Sequence, residues 1–249
     1  MKLNGSKVVV TGGAGRLGRV IVEALINGGA RVAVLDLDVE AIAGFTERQP
    51  RVLTRRVDLT VAEEVDDAVE AIVAELGSIE ILINNAGLLF SASLCGMASG
   101  GLQRHSADEF DRVVRANLYP PFLTTRAVVA EMVRQRVRGL IVNVSSIAAA
   151  GNAGQTAYSA AKAGVDALTA TWAKELGPLG IRVAGLAPGF CDTEATRRAV
   201  SEPILAEIRA RVPIARLGRP EEIARSILAI VDNDFFHGKV LAVDGGLVL

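Results

Sequence analysis

The sequence predicts an α/β fold in which helices flank both faces of a doubly wound sheet of about seven parallel strands. Two patterns indicate this fold: short β-branched runs, and longer segments between them with apolar residues at helical spacing. The runs cover residues 7–11, 31–35, 52–57, 79–83, 140–144, 181–186 and 239–243. Runs of this kind are typical of strands buried on both faces, and their alternation with helices favours right-handed crossovers.

Helices are predicted between the runs because apolar residues recur there every three or four positions. Val65, Ala68, Val69 and Ile72 form one such stripe, which would face the sheet. No linker, repeat or low-complexity segment interrupts the alternation. We therefore expect one domain over residues 1–249, a usual length for a single α/β unit.

The composition argues against several classes of partner. The 249 residues include 27 basic and 28 acidic side chains, for a net charge of −1. This balance offers no electrostatic footprint for nucleic acid or an anionic membrane surface, so we expect neither partner. Two uncharged stretches, 81–103 and 139–161, contain too many amide, serine and glycine residues for a membrane span.

The cysteines and the first residues bear on the compartment. Cys95 and Cys191 lack a CxxC spacing or neighbouring histidines, so we expect inert thiols and no disulfide framework or metal site. The apolar run before Thr11 is too short for a signal-peptide core, which makes a cytoplasmic location the expectation.

A glycine-rich turn follows the first predicted strand. Gly12, Gly15 and Gly18 separate that strand from an apolar helix. Glycines at such a turn let backbone N–H groups and the helix N-terminus approach a pyrophosphate, as in a Rossmann-type dinucleotide site. A plain tight turn is the alternative interpretation of this pattern.

The second strand ends at Asp36, about twenty residues beyond the glycines. A carboxylate at this place accepts hydrogen bonds from the ribose hydroxyls of NAD. Asp38 adds a second negative charge, and the two together would repel the 2′-phosphate of NADP. A solvated loop acid is the alternative.

Later strand ends carry further polar residues. Asn84-Asn85-Ala86-Gly87 closes the fourth run, Ser145 and Ser146 close the fifth, and Tyr158 and Lys162 open a helix. Because residues four apart share one helix face, the Lys162 ammonium would lie beneath the Tyr158 phenol. A free phenol has a pKa near 10 and needs a nearby cation to act as a base near neutral pH.

Together these motifs resemble the short-chain dehydrogenase/reductase family, in its branch of about 250 residues. The resemblance covers the whole chain. It implies that Tyr158 is the proton donor or acceptor, that a strand-end serine anchors the carbonyl, and that Lys162 holds the nicotinamide ribose and lowers the phenol pKa. It also implies a water relay at Asn117, whose carbonyl lacks a helical partner because Pro121 has no N–H.

The resemblance also implies the set of cofactor-binding residues. They are Gly12, Gly15, Arg16, Leu17, Asp36, Asp58, Leu59, Asn85, Ala86, Gly87, Tyr158, Lys162, Pro188, Gly189 and Thr193.

Two departures from the family pattern affect this assignment. Arg16 stands where the branch has a glycine. An arginine there could approach a 2′-phosphate, but Asp36 and Asp38 would repel one; we let the carboxylates decide and predict NAD. Counting thirteen residues back from Tyr158 gives Ser145 as the anchor, whereas counting three from Asn143 gives Ser146. Because burial fixes strand register more firmly than loop length, we choose Ser146.

Segments 88–105 and 189–204 are long connections and are the predicted substrate walls. The length of the first, together with residues 233–238, resembles the type 2 3-hydroxyacyl-CoA dehydrogenases; a surface loop is the alternative. We predict an NAD-dependent oxidoreductase acting on a small-molecule secondary alcohol or ketone. The alternatives are an NADPH-dependent 3-oxoacyl reductase and a catalytically silent nucleotide-binding scaffold.

The resemblance further implies a homotetramer in which the helices carrying Asn117 and Tyr158 pack across one dimer interface. Val128, Leu168 and Trp172 are apolar residues that suit such a face. A place in the core of the same chain is the alternative for each of them.

Overall fold

The computed structural model describes residues 1–49, 52–98, 101–193, 196 and 201–249. Its strands are β1 (Lys7–Thr11), β2 (Arg31–Asp36), β3 (Leu53–Arg56), β4 (Ile81–Asn84), β5 (Cys95–Ala98), β6 (Gly101–Arg104), β7 (Leu140–Val144), β8 (Arg182–Pro188) and β9 (Val240–Val243). Seven of them form one sheet in the order β3-β2-β1-β4-β7-β8-β9. All six pairings in this sheet are parallel, which confirms the predicted fold class.

Helices cover both faces of the sheet. They are α1 (Arg16–Asn27), α2 (Val39–Arg48), α3 (Ala62–Leu76), α4 (Ala107–Arg134), α5 (Thr156–Leu176), α6 (Glu202–Arg211) and α7 (Pro220–Asp232). Alternate residues of β1 divide between two core clusters: Val8 and Val10 pack with α1 and α7, and Val9 packs with α3, α4 and α5. This alternation follows from the two-residue period of a strand.

The order of the strands places the candidate site. From β1 the chain proceeds outward to β2 and β3, and it then returns to β4 on the other side of β1. Connections therefore leave β1 and β4 in opposite directions, and a crevice opens above their carboxyl ends.

Segment 88–105, predicted as a long connection that forms a substrate wall, contains regular structure. It contains β5 and β6, which pair as an antiparallel hairpin with Cys95 opposite Arg104; residues 99 and 100 lie outside the described part of the chain. Strands of four residues that include glycine have too little periodicity to be recognised from sequence.

Segment 233–238 has a structural role in this chain. The Arg182 guanidinium, at the start of β8, donates hydrogen bonds to four backbone carbonyls at and after the end of α7. His237 accepts a hydrogen bond from the Val183 N–H at Nδ1 and donates one from Nε2 to the Ala173 carbonyl. Hydrogen bonds at this segment thus link α7, β8 and α5 to one another.

Val128 is fully buried in the core between α3, α4 and α5, so its predicted place on a face between subunits is wrong. Leu168 and Trp172 are half-buried. Among the described helices none is long and apolar enough to cross a membrane. Nor do the described residues bring three or more His, Cys, Asp or Glu side chains together as a metal site.

Candidate active site

A cleft of about 610 Å³ lies above the carboxyl ends of β1, β4, β7 and β8. Its walls include every predicted cofactor-binding residue and also Ser146. Asn117 is fully buried and lies behind the cleft wall formed by Leu88. The structure therefore brings together residues from six strand ends that are far apart in the sequence.

The N-terminus of α1 opens into this cleft. Gly15 is its N-cap and supplies no capping side chain, and the first turn has no acidic residue. A Cβ on Gly18 would lie 2.1 Å from the Gly12 carbonyl oxygen, and one on Gly12 would lie 2.9 Å from the Ala86 Cα. The helix end thus approaches the strand ends closely, and its N–H groups suit a pyrophosphate.

Asp36 is held by the turn that it faces. Its Oδ2 accepts a hydrogen bond from the Ala14 N–H at 3.0 Å, and its Oδ1 accepts one from the Asp38 N–H at 3.2 Å. Asp38 itself caps α2 through the Ala41 N–H. The Asp36 carboxylate therefore has a fixed position at the end of the cleft where Arg16 and Leu37 also lie.

Asp58 and Asn85 shape the middle of the cleft. Hydrogen bonds from the Thr60 N–H and hydroxyl lower the pKa of Asp58, which remains a carboxylate. The Asn85 side-chain amide donates to the carbonyls of Thr11 and Gly12. The Thr11 hydroxyl accepts from the N–H groups of residues 85 and 86, so the ends of β1 and β4 are joined.

The two serines at the end of β7 point to different places. Ser146 accepts a hydrogen bond from the Ala148 N–H and lies close enough to the Tyr158 phenol to lower the pKa of that phenol. Ser145 is buried, and its hydroxyl lies 3.3 Å from the Lys162 carbonyl oxygen and next to the Asp166 carboxyl. Ser146 thus stands beside the phenol, and Ser145 faces the interior.

The phenol of Tyr158 is more basic than a free phenol. Burial raises its pKa, and the neighbouring Ser146 hydroxyl offsets this in part. The Lys162 ammonium lies 5.7 Å from the ring centroid and donates to the Val144 carbonyl at 2.9 Å. Burial by the polypeptide thus favours the protonated phenol, which is the form that can donate a proton.

Lys162 is buried at the base of the cleft. Burial lowers the pKa of its ammonium to about 8, and the Asp166 carboxylate acts in the opposite direction. Lys162 therefore changes charge near neutral pH, which is unusual for a lysine.

Asn117 fixes the loop after β4. Its Oδ1 accepts from the Leu88 N–H, and its Nδ2 donates to the carbonyls of Leu88 and Val113. The helix α4 runs on through Pro120 and Pro121, so the carbonyl of Asn117 lacks an N–H partner four residues on and can accept from a water.

Other residues of the cleft were missed by sequence reasoning. The Asn152 amide donates to Gln155, whose own amide donates to the Ser91 hydroxyl at 3.4 Å. This chain of amides lines the cleft next to Tyr158. Their residue types carry no motif, and only the fold brings them together.

The second predicted substrate wall is described in part. Phe190, Cys191, Thr193 and Thr196 line the cleft, whereas residues 194, 195 and 197–200 lie outside the described residues. Both cysteines are free. Burial raises the pKa of Cys191 to about 11, so its thiol stays protonated at neutral pH.

Comparisons with known proteins agree with this geometry. The short chain dehydrogenase profile matches residues 6–203. A 3-oxoacyl-[acyl-carrier-protein] reductase FabG from Thermotoga maritima is 36% identical over 100% of both chains. The human 3-hydroxyacyl-CoA dehydrogenase type-2 is 33% identical, over 98% of this chain and 96% of that one. The crystal structure of gox2181 superposes with a TM-score of 0.88 at 30% identity, covering 98% of this chain and 97% of that chain. The chain belongs to the short-chain dehydrogenase family of oxidoreductases.

The packing around Gly87 gives a test of the site's geometry. A Cβ at this position would lie 2.7 Å from the Asn117 Oδ1 and 3.5 Å from the Lys162 Nζ. Because Asn117 is held by three hydrogen bonds, Gly87→Ala should lower the free energy of unfolding by about 1–3 kcal/mol in urea denaturation. Gly96→Ala, with nothing within 4 Å, is the control and should change it by under about 1 kcal/mol. Equal effects of the two substitutions would contradict the tight packing.

Proposed function

We propose that the chain is an NAD-dependent oxidoreductase that interconverts a secondary alcohol and its ketone, with 3-hydroxyacyl and 3-oxoacyl thioesters as the substrate class. The observation that carries this proposal is the position of the Ser146 hydroxyl beside the Tyr158 phenol in the cleft wall, with the buried Lys162 next to them. The neighbouring hydroxyl groups of Ser146 and Tyr158 are suited to hold and protonate a carbonyl oxygen.

The roles of these side chains follow from their chemistry. In the reducing direction Tyr158 donates its proton to the carbonyl oxygen, while Ser146 donates a hydrogen bond to the same atom as negative charge develops there. The charged Lys162 stabilises the phenolate that remains. In the oxidising direction the phenolate removes the proton of the alcohol.

The residues present fit a dinucleotide. Gly12, Gly15 and the first turn of α1 would hold the pyrophosphate, Asp36 the adenosine ribose, and Lys162 the nicotinamide ribose. When bound, the nicotinamide supplies or accepts the hydride. The end of the cleft at Asp36 selects between the two forms of the cofactor, because a fixed carboxylate repels a 2′-phosphate.

The substrate class is supported by the relatives and by the cleft. The two named relatives act on a 3-oxoacyl-[acyl-carrier-protein] and on a 3-hydroxyacyl-CoA, according to their names. Beside Tyr158 the cleft presents the apolar side chains of Leu89, Ile147 and Phe190, together with the amides of Asn152 and Gln155. This mixture suits an acyl chain that carries polar oxygens. An NADPH-dependent 3-oxoacyl reductase is the second candidate, favoured by Arg16 in the cofactor end of the cleft.

Substitution of the hydroxyl groups tests the reaction. Ser146→Ala should lower kcat roughly 100- to 1,000-fold, because it removes a hydrogen bond to the developing charge. Tyr158→Phe should abolish turnover while NADH binding, followed by fluorescence, is retained. Ser145→Ala is the matched control and should cost much less, since its hydroxyl faces the interior. Turnover by Tyr158→Phe with 3-oxoacyl and other ketone substrates would refute the mechanism.

Cofactor choice is tested by steady-state kinetics with NADH and NADPH. We expect kcat/KM to be about a hundredfold higher with NADH than with NADPH. This ratio corresponds to the repulsion between the Asp36 carboxylate and the 2′-phosphate in a poorly solvated cleft. Asp36→Asn should reduce this preference, and Asp38→Asn, a substitution of an exposed acid, should reduce it less. Equal efficiency with both cofactors in the unsubstituted protein would favour the second candidate.

We also propose a homotetramer, on the resemblance and on the outer face of α4. Tyr119 and Phe122 are 45% and 46% exposed there, and aromatic side chains are enriched at interfaces between subunits. Light scattering at micromolar concentration should give a mass several times the 26.1 kDa of the chain. Phe122→Glu should reduce that mass, and Leu94→Glu, on the hairpin, should leave it unchanged. A monomer before substitution would reject the proposal.

A further inference from the structure

Asp166 is a half-buried acid that the proposed reaction does not use. It lies on α5 one helical turn beyond Lys162. Its Oδ1 is completely buried and has no hydrogen-bond partner among the described residues. A carboxylate oxygen in such a place is costly unless a nearby charge compensates it.

Two groups face this carboxyl. The Ser145 hydroxyl, just after β7, lies near it and donates its own hydrogen bond to the Lys162 carbonyl. The second group is the Lys162 ammonium, which shares its helix face at a spacing of four residues. Burial raises the pKa of Asp166, whereas Ser145 and Lys162 favour its charged form.

The other neighbours of Lys162 bring no charge of their own. The strand β7 and the short 3₁₀ turn Ile147–Ala150 carry no titratable side chain. Tyr158 on the same helix is a neutral phenol. The Asn117 amide of α4, which like the Lys162 ammonium borders Gly87, is uncharged. Arg182 of β8 bonds to carbonyls of α7 and the segment after it. Asp166 is thus the charged group that acts on the ammonium in the described part of the chain.

We propose that Asp166 is a positioning residue: its carboxylate, one helical turn from Lys162 on the same face of α5, is the counter-charge that keeps the buried ammonium protonated. The two groups form no direct ion pair among the described residues, so the attraction acts between charges that are not in contact. This interaction between Asp166 and Lys162 is a property of the polypeptide. Only its effect on the rate of ketone reduction rests on the proposed function.

The direct test is a titration of Lys162 by NMR in protein labelled with ¹³Cε-lysine. The chain has five lysines, so the spectrum is simple. They are Lys2, Lys7, Lys162, Lys174 and Lys239. The signal that is lost in Lys162→Met is the signal of Lys162. In the unsubstituted protein Lys162 should titrate near its lowered pKa of about 8.

Asp166→Asn keeps the size of the side chain and removes the charge. Loss of a negative neighbour disfavours the cation, so the proton affinity of Lys162 should fall roughly tenfold or more. Asp166→Glu keeps the charge and should restore most of the affinity. Glu175→Gln, an exposed acid farther along α5, is the matched control and should leave the titration unchanged. An unchanged Lys162 titration in folded Asp166→Asn would overturn the proposal.

A reciprocal measurement covers the case in which Asp166→Asn does not fold. In Lys162→Met the Asp166 carboxyl should bind its proton more tightly, and its titration can be followed by NMR in protein labelled with ¹³Cγ-aspartate. The proton affinity of Asp166 should rise by the same factor by which Asp166 raises the proton affinity of Lys162. An unchanged carboxyl titration would overturn the proposal equally.

Kinetics then separate this inference from the proposed function. The alkaline limb of kcat/KM for ketone reduction should move to lower pH in Asp166→Asn, since Lys162 loses its proton earlier. A shifted NMR titration with an unshifted rate profile would support the charge pair and reject the role assigned to Lys162 in catalysis. No shift in either measurement would reject the charge pair and leave the proposed function standing.

Discussion

A lysine ammonium held almost entirely out of water is the constraint on which the rest of the site depends. Removal of a cation from water is costly, and a single hydrogen bond to the Val144 carbonyl at 2.9 Å does not replace its hydration. The surrounding elements are arranged accordingly. The residue at position 87 is a glycine, which leaves room beside Nζ, and the Tyr158 ring presents its π-face. Because the lysine is buried, its pKa lies near 8 and its charge responds to small changes in its surroundings.

The parallel sheet makes such burial possible. Polar groups beneath the cleft form a closed hydrogen-bonded network: the Asn84 amide donates to Asn143 and Thr125, and Asn143 donates to Thr169. These side chains connect β4, β7, α4 and α5; the predicted catalytic residues lie on α4 and α5 and just after β7. A fully satisfied network in a medium of low dielectric specifies one relative position for its members. The strand ends above it, and the side chains that they carry, are therefore fixed before any ligand binds.

Most of this arrangement can be predicted from the sequence, because strand runs and their terminal residues are local patterns. The seven strands, their parallel pairing and the membership of the cleft follow from them. The hairpin of β5 and β6 does not, since its strands are short and rich in glycine. The buried position of Val128 and the amide chain from Asn152 to Ser91 depend on how helices and loops pack, for which no local pattern exists. Nor could spacing alone predict that burial raises the pKa of Tyr158: the sequence places a cation near the phenol, but the distance and the desolvation are properties of the fold.

The raised pKa of the phenol has a consequence for direction in the proposed reaction. Reduction of a ketone consumes a proton, and a neutral Tyr158 supplies it; oxidation of the alcohol needs the same group without its proton. Burial favours the protonated form, so near neutral pH the polypeptide is prepared for reduction. The charge on Lys162 opposes this preference because it stabilises the phenolate. A bound cofactor with a positive nicotinamide would add to that effect. The two relatives, one named as a reductase and one as a dehydrogenase, are consistent with a single pair of groups whose direction is set by pH and by the charge of the cofactor that enters the cleft.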